Sequence, residues 1–258
     1  MTKGRGLSAN ALKMIAMGSM FLDHLGSGIV YHLYLEACMV DGVDIVGDII
    51  PEEAKRLHLL YQILRIIGRI AFPVFAYLLV EGFLHTSNWL NYAKRLFWFA
   101  VISEAAYDVP WSADSFLRQN VLWTFLIGLV MLHHLRLEEH LAGRQRNGKM
   151  IRDILTAMLM AFLIQSDYSA LGVLLIAVLY IYRGNYRRQA AAGTVVLVLM
   201  TVVQTMLYRM MWIQIFSVLA FVFLYFYNGE RGRGNKYVFY VFYPLHLLIL
   251  GLCRSLID

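Results

Sequence analysis

Charged side chains are scarce in this 258-residue chain: 16% are Asp, Glu, Lys or Arg, where soluble domains carry about 25%. Hydrophobic residues make up 60%, and the mean hydropathy is +0.59. The remaining polar residues would not cover a protein of this size in water, which excludes a soluble enzyme, yet they suffice for loops and a few buried sites in a bilayer. Cysteine is almost missing. Cys38 and Cys253 stand in no metal-binding or redox spacing, so neither a metal nor a disulfide scaffold is expected. With only 4 prolines and no compositional bias, disorder and collagen are excluded as well. No internal repeat is visible, which counts against the inverted-repeat plan of many secondary transporters. The net charge of +6 comes from small basic groups between apolar runs, not from one stripe or tail. Those groups read as topology-setting loops, and no nucleic-acid partner is expected.

What is abundant is apolar sequence, in stretches at 11–35, 58–84, 92–110, 119–136, 152–165, 168–183, 189–208, 210–228 and 236–254. At about 20 residues per span, these leave no room for a second folded domain. The fold class predicted is all-α, a polytopic membrane bundle of about nine transmembrane helices forming one domain over 1–258. The first run follows Lys3 and Arg5 as a signal peptide's would, but it extends to Leu35 without a small-x-small cleavage site, so it reads as an uncleaved helix. The 152–165 run is short for a span, which predicts that Gln165, Ser166, Asp167 and Tyr168 turn inside the membrane against protein, as one wall of a site.

Lys and Arg alternate by loop. The N-terminus, the 84–95 loop (Lys94, Arg95), the 136–152 loop, the 183–188 loop and the 229–236 loop are basic, while 36–57 is acidic, with Asp41, Asp44 and Asp48. The pattern predicts a cytoplasmic N-terminus, an outside C-terminus and therefore an odd number of spans. Cys38 and Cys253 then both fall near the outer surface, a placement compatible with a disulfide joining the first and last helices.

Ionisable groups inside apolar runs cost at least about 2.5–3.5 kcal/mol each and are functional candidates. In the first helix Lys13 and His24 are eleven residues apart, hence about 20° apart around the helix and about 16 Å apart along it. Asp23 points about 100° away from His24 and is expected to pair with another helix. Arg69 in the second helix, Glu104 in the third and His246 in the last fall near the same mid-depth, so His24, His246, Arg69 and Glu104 are expected to converge. Duller roles stand beside these: structural hydrogen bonding for the histidines, an ion pair of Arg69 with Glu104 or Asp23, outward snorkelling for Arg65, topology anchoring for Lys94 and Arg95, and solvated helix-end positions for His133, His134 and His140.

A buried histidine is suited to move protons near neutral pH. A mid-depth His with cations at the inner mouth meets the needs of acyl transfer from a thioester whose phosphates stay at the cytoplasmic face, although a proton-coupled small-molecule transporter fits the composition equally well. The segments ALKMIAMGSMFLDHLG, RIIGRIAFPVFAYLLVEGF, KRLFWFAVISEAAYD, NVLWTFLIGL, DYSALGVLLIAVLY and GNKYVFYVFYPLHLLIL resemble, in order and over nearly the whole chain, the TraX family of pilin N-acetyltransferases, itself similar to the wider transmembrane acyltransferase superfamily. Lys13 to His24 resembles that superfamily's basic residue, ten residues and histidine, with Lys where Arg is usual. FPVFAYLLVEGF carries Glu81 where serine is common. YPLHLLIL resembles its Tyr-x-x-His element, matching Tyr243 and His246. The resemblance implies an acetyl-CoA-dependent transferase in a bacterial cytoplasmic membrane that acetylates a pilin or other peptide amine, or an envelope glycan. It implies catalytic roles for His24, His246, Glu104 and Arg69, and donor contacts at Lys13, Lys94, Arg95 and Tyr243.

Overall fold

Helix starts in this chain are set by short polar side chains. Ser8 holds an extended backbone and its Oγ accepts from the Ala11 N–H at 3.2 Å. Asn120 likewise accepts from the Leu122 N–H at 3.0 Å, so each supplies an acceptor that the first helical turn lacks. The computed structural model describes residues 6–40, 43–44, 50–108, 118–207, 211–235 and 237–257. Lys3, Arg5, Asp41, Asp48 and Lys236 of the charge pattern lie outside them.

Within the described residues the fold is all-α, apart from a two-residue antiparallel pairing of β1 (Met39–Val40) with β2 (Val43–Asp44). The helices are α1 (Ala9–Leu25), α2 (Tyr31–Cys38), α3 (Glu52–Gly68), α4 (Ala71–Leu84), α5 (Trp89–Asp108), α6 (Val121–Leu137), α7 (Gly143–Leu163), α8 (Ser169–Ile181), α9 (Tyr186–Leu207), α10 (Ala220–Tyr225) and α11 (Tyr237–Ser255). A π turn, Gly26–Val30, makes α1 and α2 one continuous rod, and a 3-10 segment, Met211–Leu219, leads into α10. Gly26 in the π turn lets α3 come close: a Cβ there would lie 3.0 Å from that of Leu64. The break between α3 and α4 falls at Arg69 and Ile70 because Pro73 has no N–H to give the Arg69 carbonyl four residues back.

Three helical stretches, Glu52–Leu84, Tyr186–Leu207 and Tyr237–Ser255, are long and apolar enough to cross a membrane. The bundle is apolar outside as well as in its core. On α11 the buried face carries Tyr240, Tyr243 and His246, while Val238, Val241, Leu245, Leu248 and Leu252 are exposed at the alternating three- and four-residue spacing of one helix face. Ile151, Leu155, Leu159 and Phe162 form the same kind of outward stripe on α7. Hydrocarbon chains, not water, suit such a surface.

The connections sort by charge. At one end the N-terminal segment is stitched to the α10–α11 loop by Leu7 N–H to Phe226 carbonyl and Ala9 N–H to Glu230 carbonyl, both 2.8 Å. Trp89 stacks on His133 at 3.9 Å there, so His133 is packed and not simply solvated. Glu139 accepts from the Tyr180 hydroxyl at 2.7 Å and from Arg183. Arg183, Arg231 and Arg233 belong to this end, whereas Arg118 belongs to the α5–α6 connection. The opposite end holds the α5–α6 and α7–α8 connections, paired through Gln119 and Gln165.

Candidate functional site

The charged centre begins with Asp23 on α1. Its Oδ2 accepts from Arg65 Nη1 at 2.5 Å, and its Oδ1 accepts from Arg69. One turn of α3 separates the two arginines, so both reach the same carboxylate. Arg69 also donates to the Arg65 carbonyl and to Gln214 Oε1, each at 3.1 Å. Asp23 and Arg69 are 8% and 6% exposed. Gly68 is required beside them, since a Cβ there would overlap the Asp23 side chain. Arg65 thus turns inward to an ion pair and does not snorkel.

One residue further, His24 Nδ1 lies 2.7 Å from His246 Nε2. His246 Nδ1 lies 2.8 Å from the Phe242 carbonyl, which can only accept, so that nitrogen carries a proton. With neutral rings His246 Nε2 is then the acceptor and His24 Nδ1 the donor, leaving the basic lone pair of the pair on His24 Nε2. Stacking of the Phe242 ring on His246 at 4.6 Å fixes the second imidazole further. The two imidazoles therefore form one oriented hydrogen-bonded unit.

His24, Asp23, Arg65, Arg69 and Tyr243 all border a cavity of about 730 Å³. Its far wall is the α7–α8 turn, where Gln165 and Tyr168 have φ of 53° and 60°. Such left-handed non-glycine residues cost about 1–3 kcal/mol each and persist only where the surroundings hold them. Here the Tyr168 ring lies on Phe72 at 3.7 Å, and Thr124 Oγ1 bonds Ser166 Oγ at 2.9 Å. The turn lies against protein and forms a site wall, as its short apolar run predicts.

A second cavity, about 330 Å³, lies toward the basic end and is bordered by Lys13, Glu81, Arg95 and Arg231. The two cavities share Phe75, Phe125 and Phe239. Phe75 and Phe239 meet at 4.5 Å between ring centres and form the partition.

Of the residues singled out in the sequence, His24, His246, Arg69 and Tyr243 are brought together, with His246 reaching the cavity through His24. Lys13 and Arg95 meet at the smaller cavity, whereas Lys94 is exposed and borders neither. Glu104 is turned away from both. Its Oε1 accepts from the Asn120 backbone N–H at 3.1 Å, Asn120 Nδ2 at 2.6 Å and Trp123 Nε1 at 2.6 Å. It secures the start of α6. Glu104→Ala is accordingly expected to lower stability by about 1–3 kcal/mol by stranding buried donors, with the chemistry of the surviving folded protein within about threefold of wild type. Unfolding titrations paired with activity per folded molecule check this. Arg118, Tyr107 and Gln214 also converge on the large cavity or its ion pair, and the sequence did not single them out as site residues, whereas Asp167 belongs to the turn expected as a site wall. Cys38 and Cys253 are both free thiols.

The family model described as TraX protein matches residues 8–254. Among curated proteins, the probable fimbrial assembly protein FimC, serogroup H1, of Dichelobacter nodosus is 28% identical over 270 residues, covering 97% of each chain. No solved structure matches the chain.

Proposed function

The chain belongs to the TraX family, and from that premise we propose that it is an integral acetyltransferase of the bacterial cytoplasmic membrane, passing acetyl from cytoplasmic acetyl-CoA to an acceptor on the outer side. The observation that carries this reading is the oriented histidine pair, with its lone pair on His24, in a chamber separated by aromatic rings from a cationic inner pocket. The relative's role in fimbrial assembly supports a pilin or another secreted peptide as acceptor. The reading takes nine spans with a cytoplasmic N-terminus and an outside C-terminus, an orientation supported by the basic residues of the α8–α9 and α10–α11 connections.

On this reading the phosphates of the donor meet Lys13, Arg95 and Arg231, and the pantetheine arm passes between Phe75 and Phe239. Lys13 and His24 are separated by about 16 Å of helix, a distance a pantetheine arm can reach. The acceptor nitrogen attacks the thioester carbonyl carbon, the C–N bond forms, and the C–S bond breaks. His24 Nε2 takes the proton from nitrogen and returns it to the departing thiolate. His246 holds His24 in the required tautomer, and Tyr243 donates its hydroxyl to the oxygen on which charge develops. Arg65 and Arg69, neutralised in part by Asp23, fix the α1–α3 wall on which His24 sits.

The test is direct. Protein reconstituted in liposomes and given acetyl-labelled CoA with a peptide bearing a free N-terminus should transfer label to the peptide and release one thiol per acetyl moved. Uptake of a solute driven by a pH gradient, with no thioester cleaved, would instead favour a proton-coupled transporter and overturn the acetyltransferase reading.

A further inference from the structure

Two carboxylates border the large chamber, and they are used very differently. Asp23 is consumed by Arg65 and Arg69. Asp167 makes no ion pair among the described residues; its Oδ1 accepts only the Tyr168 N–H, at 3.0 Å. The backbone around Asp167 is pinned from several sides. Its N–H donates to the Gln119 carbonyl at 2.8 Å, the Gln119 N–H donates to the Gln165 carbonyl at 3.2 Å, and Thr124 Oγ1 donates to the Asp167 carbonyl. Residues 165, 168 and 169 all hold positive φ without a glycine among them. The turn is thus held rigidly while the carboxylate it carries stays exposed on the cavity wall.

From this geometry we propose that Asp167 is the anchor for a cationic amine, so that the chamber selects primary ammonium groups such as a peptide N-terminus over hydroxyl acceptors. The assignment rests on the acetyltransferase reading and narrows its acceptor to an amine. Arg65, Arg69 and Arg118 border the same chamber, but Asp23 holds the first two and no cation among the described residues forms an ion pair with Asp167, so an ammonium within hydrogen-bond reach supplies what a sugar hydroxyl does not. The Tyr168 ring, one face of which lies on Phe72, borders the chamber beside Asp167 and favours the same charge. The ammonium bound at Asp167 loses one proton to water at the outer mouth. The neutral amine then attacks the thioester, its second departing proton passing through His24 to the thiolate. The sum is one thioester and one ammonium converted to one amide, one thiol and one proton.

The full chain in liposomes, labelled acetyl-CoA, and two matched peptides, one with an N-terminal amine and one with the α-hydroxy analogue, provide the test. Asp167→Asn should raise the KM for the amine by about 30-fold, the scale of a lost hydrogen bond to a charged group. The KM for acetyl-CoA should stay within about twofold. Asp167→Glu should recover part of the loss, and the wild type should prefer the amine to the hydroxy peptide by at least about tenfold. An unshifted amine KM in Asp167→Asn, or equal use of both peptides by the wild type, overturns the assignment while leaving the acetyltransferase reading in place. Absence of any thioester cleavage by the wild type overturns both. Thermal stabilisation by the amine peptide gives a readout without turnover: it should be present in the wild type and lost in Asp167→Asn, and its survival in that variant also sinks the assignment.

Discussion

His24→Ala is expected to lower acetyl transfer by about 10²–10⁴-fold, the range over which a positioned general base contributes. The size of the effect follows from the hydrogen-bond chain. The Phe242 carbonyl fixes the proton on His246 Nδ1, and this in turn makes His246 Nε2 the acceptor for His24 Nδ1. Only one imidazole nitrogen of the pair is left basic, and it belongs to His24. Loss of His246 should therefore be milder, about 10–100-fold in His246→Ala, because an unoriented His24 still titrates. His246→Gln, whose amide oxygen can accept from His24 Nδ1, should recover part of that loss. Single-turnover transfer from labelled acetyl-CoA, normalised to folded protein, separates the two effects. Equal losses in His24→Ala and His246→Ala would contradict the assignment of the base to His24.

The largest stability effect should come from Asp23. In Asp23→Ala two guanidiniums, Arg65 and Arg69, lose the carboxylate they share. A buried ion pair broken on one side costs about 3–5 kcal/mol because the surviving charge is left without compensation. The loss here sits at the upper end, since two cations are stranded. Arg69 keeps its bonds to Gln214 and the Arg65 carbonyl, which limits the damage but does not neutralise it. Equilibrium unfolding in mixed micelles measures the difference. Replacing the pair together, as Asp23→Leu with Arg69→Met, should restore at least half of the stability while Arg65 turns outward. A single Asp23→Ala variant within about 1 kcal/mol of wild type would show the cluster to be solvated and expendable.

Depth was legible in the sequence, and direction was not. A helix advances a fixed distance per residue, so counting from basic loops is enough to bring His24 and His246 to one level, and their ring nitrogens are 2.7 Å apart. The same arithmetic assigns Glu104 a mid-depth position on its helix. It could not say that α5 turns that carboxylate toward Asn120 and Trp123, because rotation about a helix axis depends on neighbours that no hydrophobic pattern identifies. Angular offset sends Asp23 to another helix and leaves Arg69 to pair with it or with Glu104, while Arg65, one turn away on the same face, is legible in principle from its four-residue spacing. The α7–α8 turn was visible as an apolar run too short to span. The exposure of Asp167 had no such signature, since the left-handed residues at 165, 168 and 169 are Gln, Tyr and Ser, where glycine would have marked the bend.

The ring layer formed by Phe75, Phe125 and Phe239 has an electrical consequence. In a bilayer with the proposed orientation the two cavities approach it from either side, so water filling both would concentrate the membrane potential across the thickness of an aromatic side chain instead of the full hydrocarbon layer. Moving one elementary charge through such a drop takes about 2.3 kcal/mol per 100 mV. On the proposed reading the neutral acetyl-pantetheine arm enters without that work, whereas the donor's phosphates stay on one side of the rings and the acceptor's ammonium on the other. The same three side chains would then admit a neutral thioester and keep the membrane insulated against ions.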